Sequence, residues 1–295
     1  MELLQFKYFL TAAKYENFSK ASGELFVSQP ALSKMIKGLE DELGVKLFDR
    51  VGKNIKLNEC GKTAVKYCEK IFSSLSDMTT ELKDISGKEE NSVKLSIIAS
   101  TSYLSDIVCG FKKLYPSTDI SIFQKEYTKD ENTADIYIYS ASDHDEKSET
   151  LLLSESCSLA VSENDPLNEL RQPLSVEDIK KFSGYDFFVM ENRKPLSEIT
   201  LNLCKSAGFV PHIALECDSH STIFSLIEAG MGVAVVPDIT WQKSMEGKRV
   251  RLLKVDYPAR RYIVMKTRNG YMSKAGLKLK EYIMDFYGKI NSMFG

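Results

Sequence analysis

Apolar and polar positions divide this chain into three stretches of different period. Over residues 1–58 the apolar positions are helical and closely spaced. Leu3, Phe6, Leu10 and Ala13 mark one face of a first helix, and Ala21 and Leu25 mark a second, capped by Asn17 or Ser19. Ser28 is a natural N-cap. Pro30 fits only a first turn, where its missing N–H costs nothing, so a third helix is predicted from about Gln29 to Leu43, stopped by Gly44. On a helical wheel Leu32, Met35, Ile36, Leu39 and Leu43 share a sector roughly 100° wide. Pro30, Ser33, Lys34, Lys37 and Asp41 lie opposite. Val45–Arg50 and Asn54–Leu57 are short β-type runs around a Gly turn at Gly52. Lys46, Arg50, Lys53 and Lys56 make this hairpin basic, against Asp49 as its acid. Two short helices, a helix with a cationic face and a basic hairpin predict a winged helix-turn-helix, its third helix facing a DNA groove. The alternative is an ordinary solvated face on a small bundle.

Residues 59–86 read as one long helix. Ala64, Cys68, Ile71, Leu75, Met78, Leu82 and Ile85 alternate spacings of four and three, a heptad seam that Val65 and Phe72 widen. Too little chain lies nearby to cover it, so a second copy is the expected partner; packing on the chain's own domains is the alternative. A polar segment from Gly87 to Ser92 follows as a linker.

From residue 92 to 295 the pattern alternates apolar β-type runs with helical stretches. Strands are expected at Val93–Ala99, Asp119–Gln124, Asp135–Tyr139, Cys157–Val161, Phe187–Met190, His212–Cys217, Val233–Pro237, Val250–Val255 and Tyr262–Lys266. Helices are expected at Ser102–Tyr115, Leu196–Ala207, Ser219–Ala229 and Lys274–Ile290. The alternation implies an α/β region with parallel sheets, whose ligands bind at the carboxyl ends of strands.

Composition narrows the function. With 39 Lys and Arg against 41 Asp and Glu, the net charge of −2 gives no global basic field, so any nucleic-acid site is local. No apolar run approaches the ~20 residues of a membrane span. The first residues lack a secretory pattern, and six scattered cysteines make no disulfide framework, so a reducing cytoplasm is expected. Gly61-Lys62-Thr63 looks like the end of a phosphate loop, but Lys56 stands where the first Gly is required. Gly230-Met231-Gly232 more simply lets a helix turn into a strand. His144, His212 and His220 have no metal-ligand spacing, and no catalytic constellation or cofactor is readable. Cys204 and Cys217 share one region and could form a redox pair, although buried thiols are the commoner case.

Several motifs carry a family resemblance: Leu4-Gln5-Phe6, Phe18-Ser19-Lys20-Ala21, Ser28-Gln29-Pro30-Ala31-Leu32-Ser33, Leu39-Glu40, Leu43-Gly44 and Leu47-Phe48-Asp49-Arg50. Together they resemble the N-terminal signature of LysR-type transcriptional regulators. Weaker echoes continue through Tyr115-Pro116, Ala134-Asp135-Ile136, Asn164–Leu167 and Ala229–Pro237. The resemblance implies a non-enzymatic, sequence-specific DNA-binding regulator that takes a partly palindromic operator as a dimer or tetramer and responds to a small-molecule effector. Residues 1–58 would be the winged helix-turn-helix and 59–91 the linker and dimerisation helix with its hinge. Residues 92–295 would be an effector domain of two subdomains, like periplasmic binding proteins: subdomain I at 92–161 and 265–295, subdomain II at 162–264. The chain would cross between them near Val161–Ser162 and Val264–Met265. Double-stranded DNA, a second copy, a small effector such as an organic acid, and RNA polymerase are the partners implied; no membrane and no metal is. A solute-binding or redox-sensing protein on the same fold, with DNA binding secondary, is the rival reading.

The DNA-contacting set is Ser28, Gln29, Pro30, Ser33, Lys34 and Lys37 on the helix, with Arg50 and Lys53 on the wing. For the effector, Ser100, Thr101 and Ser102 follow the first strand and open a helix, a place suited to a carboxylate. Ser219, His220 and Ser221 open another helix and could face the ligand from the second subdomain. Simple capping explains both clusters equally well. One departure from the family concerns the helix expected between the second and third strands. Only the polar segment Tyr127–Ala134 is available for it, so it is expected to be absent or a single turn, altering the pocket. Ser22, where the family often has Ala, is a second and tolerable departure.

Overall fold

The structure, a computed structural model, describes residues 1–51, 54–87, 91–124, 134–190, 194–258 and 260–294. The expected short segment at Tyr127–Ala134 lies outside the described residues, apart from Ala134. The chain forms two compact units, Met1–Lys88 and Glu89–Gly295.

The first unit carries helices α1 (Leu3–Tyr15), α2 (Phe18–Glu24) and α3 (Gln29–Leu43). Strands β1 (Phe48–Val51) and β2 (Asn54–Leu57) and helix α4 (Glu59–Ile85) follow. Capping explains the boundaries. Asn17 accepts from the Lys20 N–H, Ser28 from the Ala31 N–H and Asn58 from the Gly61 N–H, while Gly44 ends α3 in the left-handed region at φ 70°. Phe9, Leu32, Ile36, Leu39, Leu47 and Phe48 fill the core, and Phe9 and Phe18 meet the Phe48 ring edge-on.

The inward face of α3 differs from expectation at two places. Leu43 is 38% exposed, and Glu40 is buried in its stead. Glu40 earns burial by bonding: its carboxylate accepts from the Leu47 N–H at 2.9 Å and from Lys46 Nζ at 2.7 Å. The third helix is thereby tied to the chain entering the hairpin. Glu16, in the left-handed region at φ 43°, accepts from the Leu57 N–H at 2.8 Å and anchors the other strand to the end of α1. Gly61 explains the false phosphate-loop motif. A Cβ there would come within 2.2 Å of the Leu47 carbonyl oxygen, so α4 can start against the hairpin only with glycine.

The second unit contains two sheets of the same strand order. The first is β4 (Asp119–Phe123), β3 (Ser92–Ile97), β5 (Ile136–Ala141), β12 (Arg261–Thr267) and β6 (Thr150–Glu155). The second joins β9 (His212–Cys217) and β8 (Asp186–Met190) to β10 (Ala234–Pro237), β7 (Cys157–Ser162) and β11 (Val250–Lys254), with the Phe187–Val233 bridge linking β8 to β10. In each sheet the first three strands run parallel and the last two join antiparallel. The expected all-parallel sheets are therefore mixed, and β6 is a strand the pattern did not announce. Helices α5 (Leu104–Leu114) and α10 (Lys274–Phe294) cover the first sheet around Phe111, Leu279, Ile283 and Tyr287. Helices α6 (Val176–Lys180), α7 (Lys194–Ser206), α8 (His220–Glu228) and α9 (Gln242–Met245) accompany the second, whose core holds Phe182, Phe187, Phe224 and Trp241.

Strand pairing moves the crossings. β7 belongs to the second sheet, so the chain leaves the first at Glu155–Cys157, before the expected 161–162. It returns between Lys254 and Arg261, before the expected 264–265. Gly232 sits where a Cβ would meet the Asp186 carbonyl oxygen at 2.5 Å, so close packing of β10 on β8 accounts for this glycine of the GxG.

Candidate nucleic-acid interface and effector cleft

Helix α3 sorts its side chains by chemistry. Leu32, Ile36 and Leu39 are sealed in the core, while Gln29, Pro30, Lys34 and Lys37 are exposed and Ser33 is half-exposed. Ser28 is also exposed, but its hydroxyl is spent on the cap. Asn17 takes the cap of α2, which frees Ser19, and the Ser19 hydroxyl donates to Gln29 Oε1 at 3.4 Å. That bond holds Gln29 at the start of α3; the sequence offered Ser19 only as a possible cap. Arg50 is exposed on β1, and Lys53 lies outside the described residues. Lys34, Lys37 and Arg50 form no ion pair among the described residues, so their charges are available to phosphate. Phe26, which the sequence reading passed over, is 95% exposed at φ 53° in the turn before α3.

The heptad seam on α4 divides. Cys68 is buried and Ala64 half-buried in the core of this unit, and burial pushes the Cys68 thiol up to about 11. Leu75 is partly covered, whereas Ile71, Met78, Leu82 and Ile85 are 37%, 52%, 57% and 75% exposed. Of the seam, the part from residue 71 onward is the uncovered apolar stripe.

In the second unit the two hydroxyl clusters converge on one turn. Ser100 is buried and in the left-handed region at φ 61°, and a 3-10 turn at Thr101–Tyr103 precedes α5, where a helix from Ser102 was expected. No side chain caps either start, so capping does not account for this cluster. Instead, Ser102 Oγ donates to the Thr240 carbonyl, and Tyr103 OH donates to the Ile239 carbonyl at 3.2 Å. Glu155, at the end of β6, accepts from the N–H groups of Ile239 and Thr240 at 3.1 and 2.8 Å and from the Thr240 hydroxyl at 2.9 Å. Asp106 pairs with Lys243, whose ammonium also lies 5.5 Å from the Tyr103 ring. The polar atoms of residues 239 and 240 are thus held by the first sheet and its helix, although their chain emerges from the second. From the other side, the His220 ring packs edge-on against Trp241 at 4.5 Å between centroids. Ser219 caps α8 by accepting from the Thr222 N–H at 3.3 Å, and its hydroxyl lies 3.0 Å from that of Ser221. Thr101 is partly exposed, and its side chain makes no hydrogen bond to the described residues.

The profile of the bacterial regulatory helix-turn-helix protein, lysR family, matches residues 3–62, and that of the LysR substrate binding domain matches residues 86–286. The chain belongs to the LysR family of transcriptional regulators. It is a DNA-binding regulator with an effector-binding domain, and the family is not one of enzymes. Two relatives from Bacillus subtilis (strain 168) span nearly its whole length. The uncharacterized HTH-type transcriptional regulator YybE is 24% identical over 98% of this chain and 100% of its own. The transcriptional dual regulator GltC is 25% identical over 98% and 99%. Among solved structures, full-length CbnR complexed with its target DNA has a TM-score of 0.62 at 18% identity, covering 97% of this chain and 99% of that one.

The redox alternative loses ground in this LysR regulator. Cys204 is sealed in the core, where burial pushes its thiol up to about 12, so it presents no activated thiolate, and the Cys217 Sγ lies 3.6 Å from the Ser219 carbonyl oxygen. No helix among the described residues is long and apolar enough to cross a membrane, and those residues hold no cluster suited to a metal ion.

Proposed function

We propose that this LysR regulator acts in the cytoplasm as a dimer, or a pair of dimers, on a partly palindromic operator. Ser33 and Lys34 reach base edges, Gln29, Pro30 and Lys37 fix the helix against the groove, and Arg50 with Lys53 takes phosphate or the minor groove. The single observation that carries this reading is the two-sided sorting of α3, with an aliphatic face buried and the cations outward and unpaired among the described residues. CbnR, of the same fold, is held on its target DNA in a full-length complex. The uncovered stripe Ile71, Met78, Leu82 and Ile85 supports dimerisation, because a second α4 would bury it. Two α3 helices would then address two half-sites, with RNA polymerase as the further partner of the bound dimer.

The effector is a small molecule in the cleft between the two sheets of the second unit. Thr101, in the turn that opens α5, is available to it, while Ser102 is engaged by Thr240. The test is selection of duplexes from a random pool by the full chain, followed by footprinting on the selected sequence. The expected footprint covers two related half-sites about one helical turn apart or a multiple of it, and binding weakens steeply as salt rises. A single protected half-site at all protein concentrations contradicts the dimer; no enrichment contradicts the assignment.

A further inference from the structure

A cavity of about 290 Å³ opens where α7 of the second sheet lies against β5 of the first. Ser142, Glu198, Asn202, Arg260 and Tyr262 supply its polar walls; Pro195, Ile199 and Pro258 supply apolar ones. Its volume is at the lower end for small-ligand sites. None of these residues belongs to the two hydroxyl clusters.

The charges of this cavity are unusual. Arg260 is oriented by one residue: its Nε donates to Ser154 Oγ at 2.7 Å and its Nη2 to the Ser154 carbonyl at 3.0 Å. That fixes the plane of the guanidinium and leaves Nη1 for a carboxylate. Glu198 lines the same cavity from α7, yet the two opposite charges form no ion pair with each other, and Glu198 has none among the described residues. An anion alone would have to share the space with the Glu198 carboxylate, and a cation alone with Arg260. A molecule carrying both signs meets each wall with its complement. The Asn202 amide offers both a donor and an acceptor, and Ser142 and Tyr262 add hydroxyls. The Tyr262 ring is itself backed by His144, at 5.3 Å between centroids.

We infer that this cavity binds a small zwitterion of the amino-acid type, its carboxylate on Arg260 and its ammonium on Glu198. The inference goes beyond the effector-binding reading, whose site is the turn at Thr101, and gives the same unit a second small-molecule site.

Differential scanning fluorimetry and calorimetry on the full chain test it. The probes are the standard amino acids, each tried singly, and the matching carboxylic acids that lack the amino group. At least one amino acid should raise the melting temperature of the wild type, and its deaminated analogue should not. Arg260→Gln and Glu198→Gln, both exposed positions, should each weaken that binding by about tenfold or more. Absence of any amino-acid binder overturns the inference, as does a deaminated acid that binds equally well or a Glu198→Gln protein that binds unchanged. Duplex selection on the same wild-type preparation separates the two levels. A chain that selects duplexes but binds no amino acid refutes the zwitterion and leaves the regulator standing. A chain that binds an amino acid but selects no duplex does the reverse.

Discussion

The Glu155 carboxylate and the Arg261 guanidinium meet at 2.9 Å with side-chain exposures of 0% and 3%, at the two points where the chain passes between its sheets. Arg261 Nη1 also donates to the Thr240 hydroxyl at 2.9 Å, so one buried group ties both crossings to the turn after β10. A buried ion pair adds little net stability when complete, but losing one partner strands a charge in a poorly solvating interior. Arg261→Met should therefore destabilise the second unit by about 3–5 kcal/mol in denaturant unfolding. Adding Glu155→Gln, which keeps an acceptor for the Ile239 and Thr240 N–H groups, should recover part of that loss. A double variant as unstable as the sum of its singles would show that the pair is not coupled.

Dimerisation should depend on the distal half of α4. Met78→Asp places a carboxylate in the exposed stripe without touching the core of its own unit. The expected result is a monomer in sedimentation with unchanged helix content and loss of two-site DNA binding. An unaltered mass would locate the interface elsewhere. Cys68→Asp, by contrast, should unfold the first unit, because Cys68 is 4% exposed within its core.

Thiol reactivity separates a structural role for the cysteines from a sensing one. Burial raises the Cys157 and Cys204 thiols to about 12, the former with the nearby Glu155 charge adding to the shift. At pH 8 these groups are almost wholly protonated, and only the thiolate attacks. Alkylation of the native protein should therefore label the exposed Cys60 and Cys109 first and leave Cys157 and Cys204 until denaturant is added. Rapid oxidation of Cys204 by mild peroxide in the folded protein would revive the redox reading.

The N-terminal unit was legible because its signals are local. Ser28, Pro30 and Gly44 bound α3, and the wheel that put Leu32, Ile36 and Leu39 inward also put Lys34 and Lys37 outward. Glu40 escaped that reading because its burial is granted by an N–H seven residues away, which no helical period encodes. Ala64 and Cys68 satisfy the same heptad spacing as Met78 and Leu82, and only tertiary packing distinguishes a core position from an uncovered one. In the second unit the apolar runs located most strands, but partners and direction depend on contacts far apart in the chain. The crossing at Glu155 was missed because Thr150–Glu155 went unassigned between a polar loop and the strand expected at Cys157–Val161, so the start of the second sheet could not be told from the end of the first. The pattern expected a helix from Ser102, where a 3-10 turn at Thr101–Tyr103 precedes α5, and it expected the helix that Ser219 caps. That Ser102 would meet Thr240, 138 residues on, is a property of the fold alone.

In the proposed regulator the outward face of α3 reads DNA. The most direct test is the affinity of the Ser33→Ala, Lys34→Ala, Lys37→Ala triple variant for the duplex selected by the wild type, at fixed salt. Each good base contact contributes about 1–3 kcal/mol of discrimination, and each lost phosphate contact lowers the salt slope by about one. The triple variant should therefore bind at least about a hundredfold more weakly, with a shallower salt dependence and little preference for the selected sequence. Wild-type affinity and sequence preference in a folded triple variant would contradict the assignment of α3 as the reading helix.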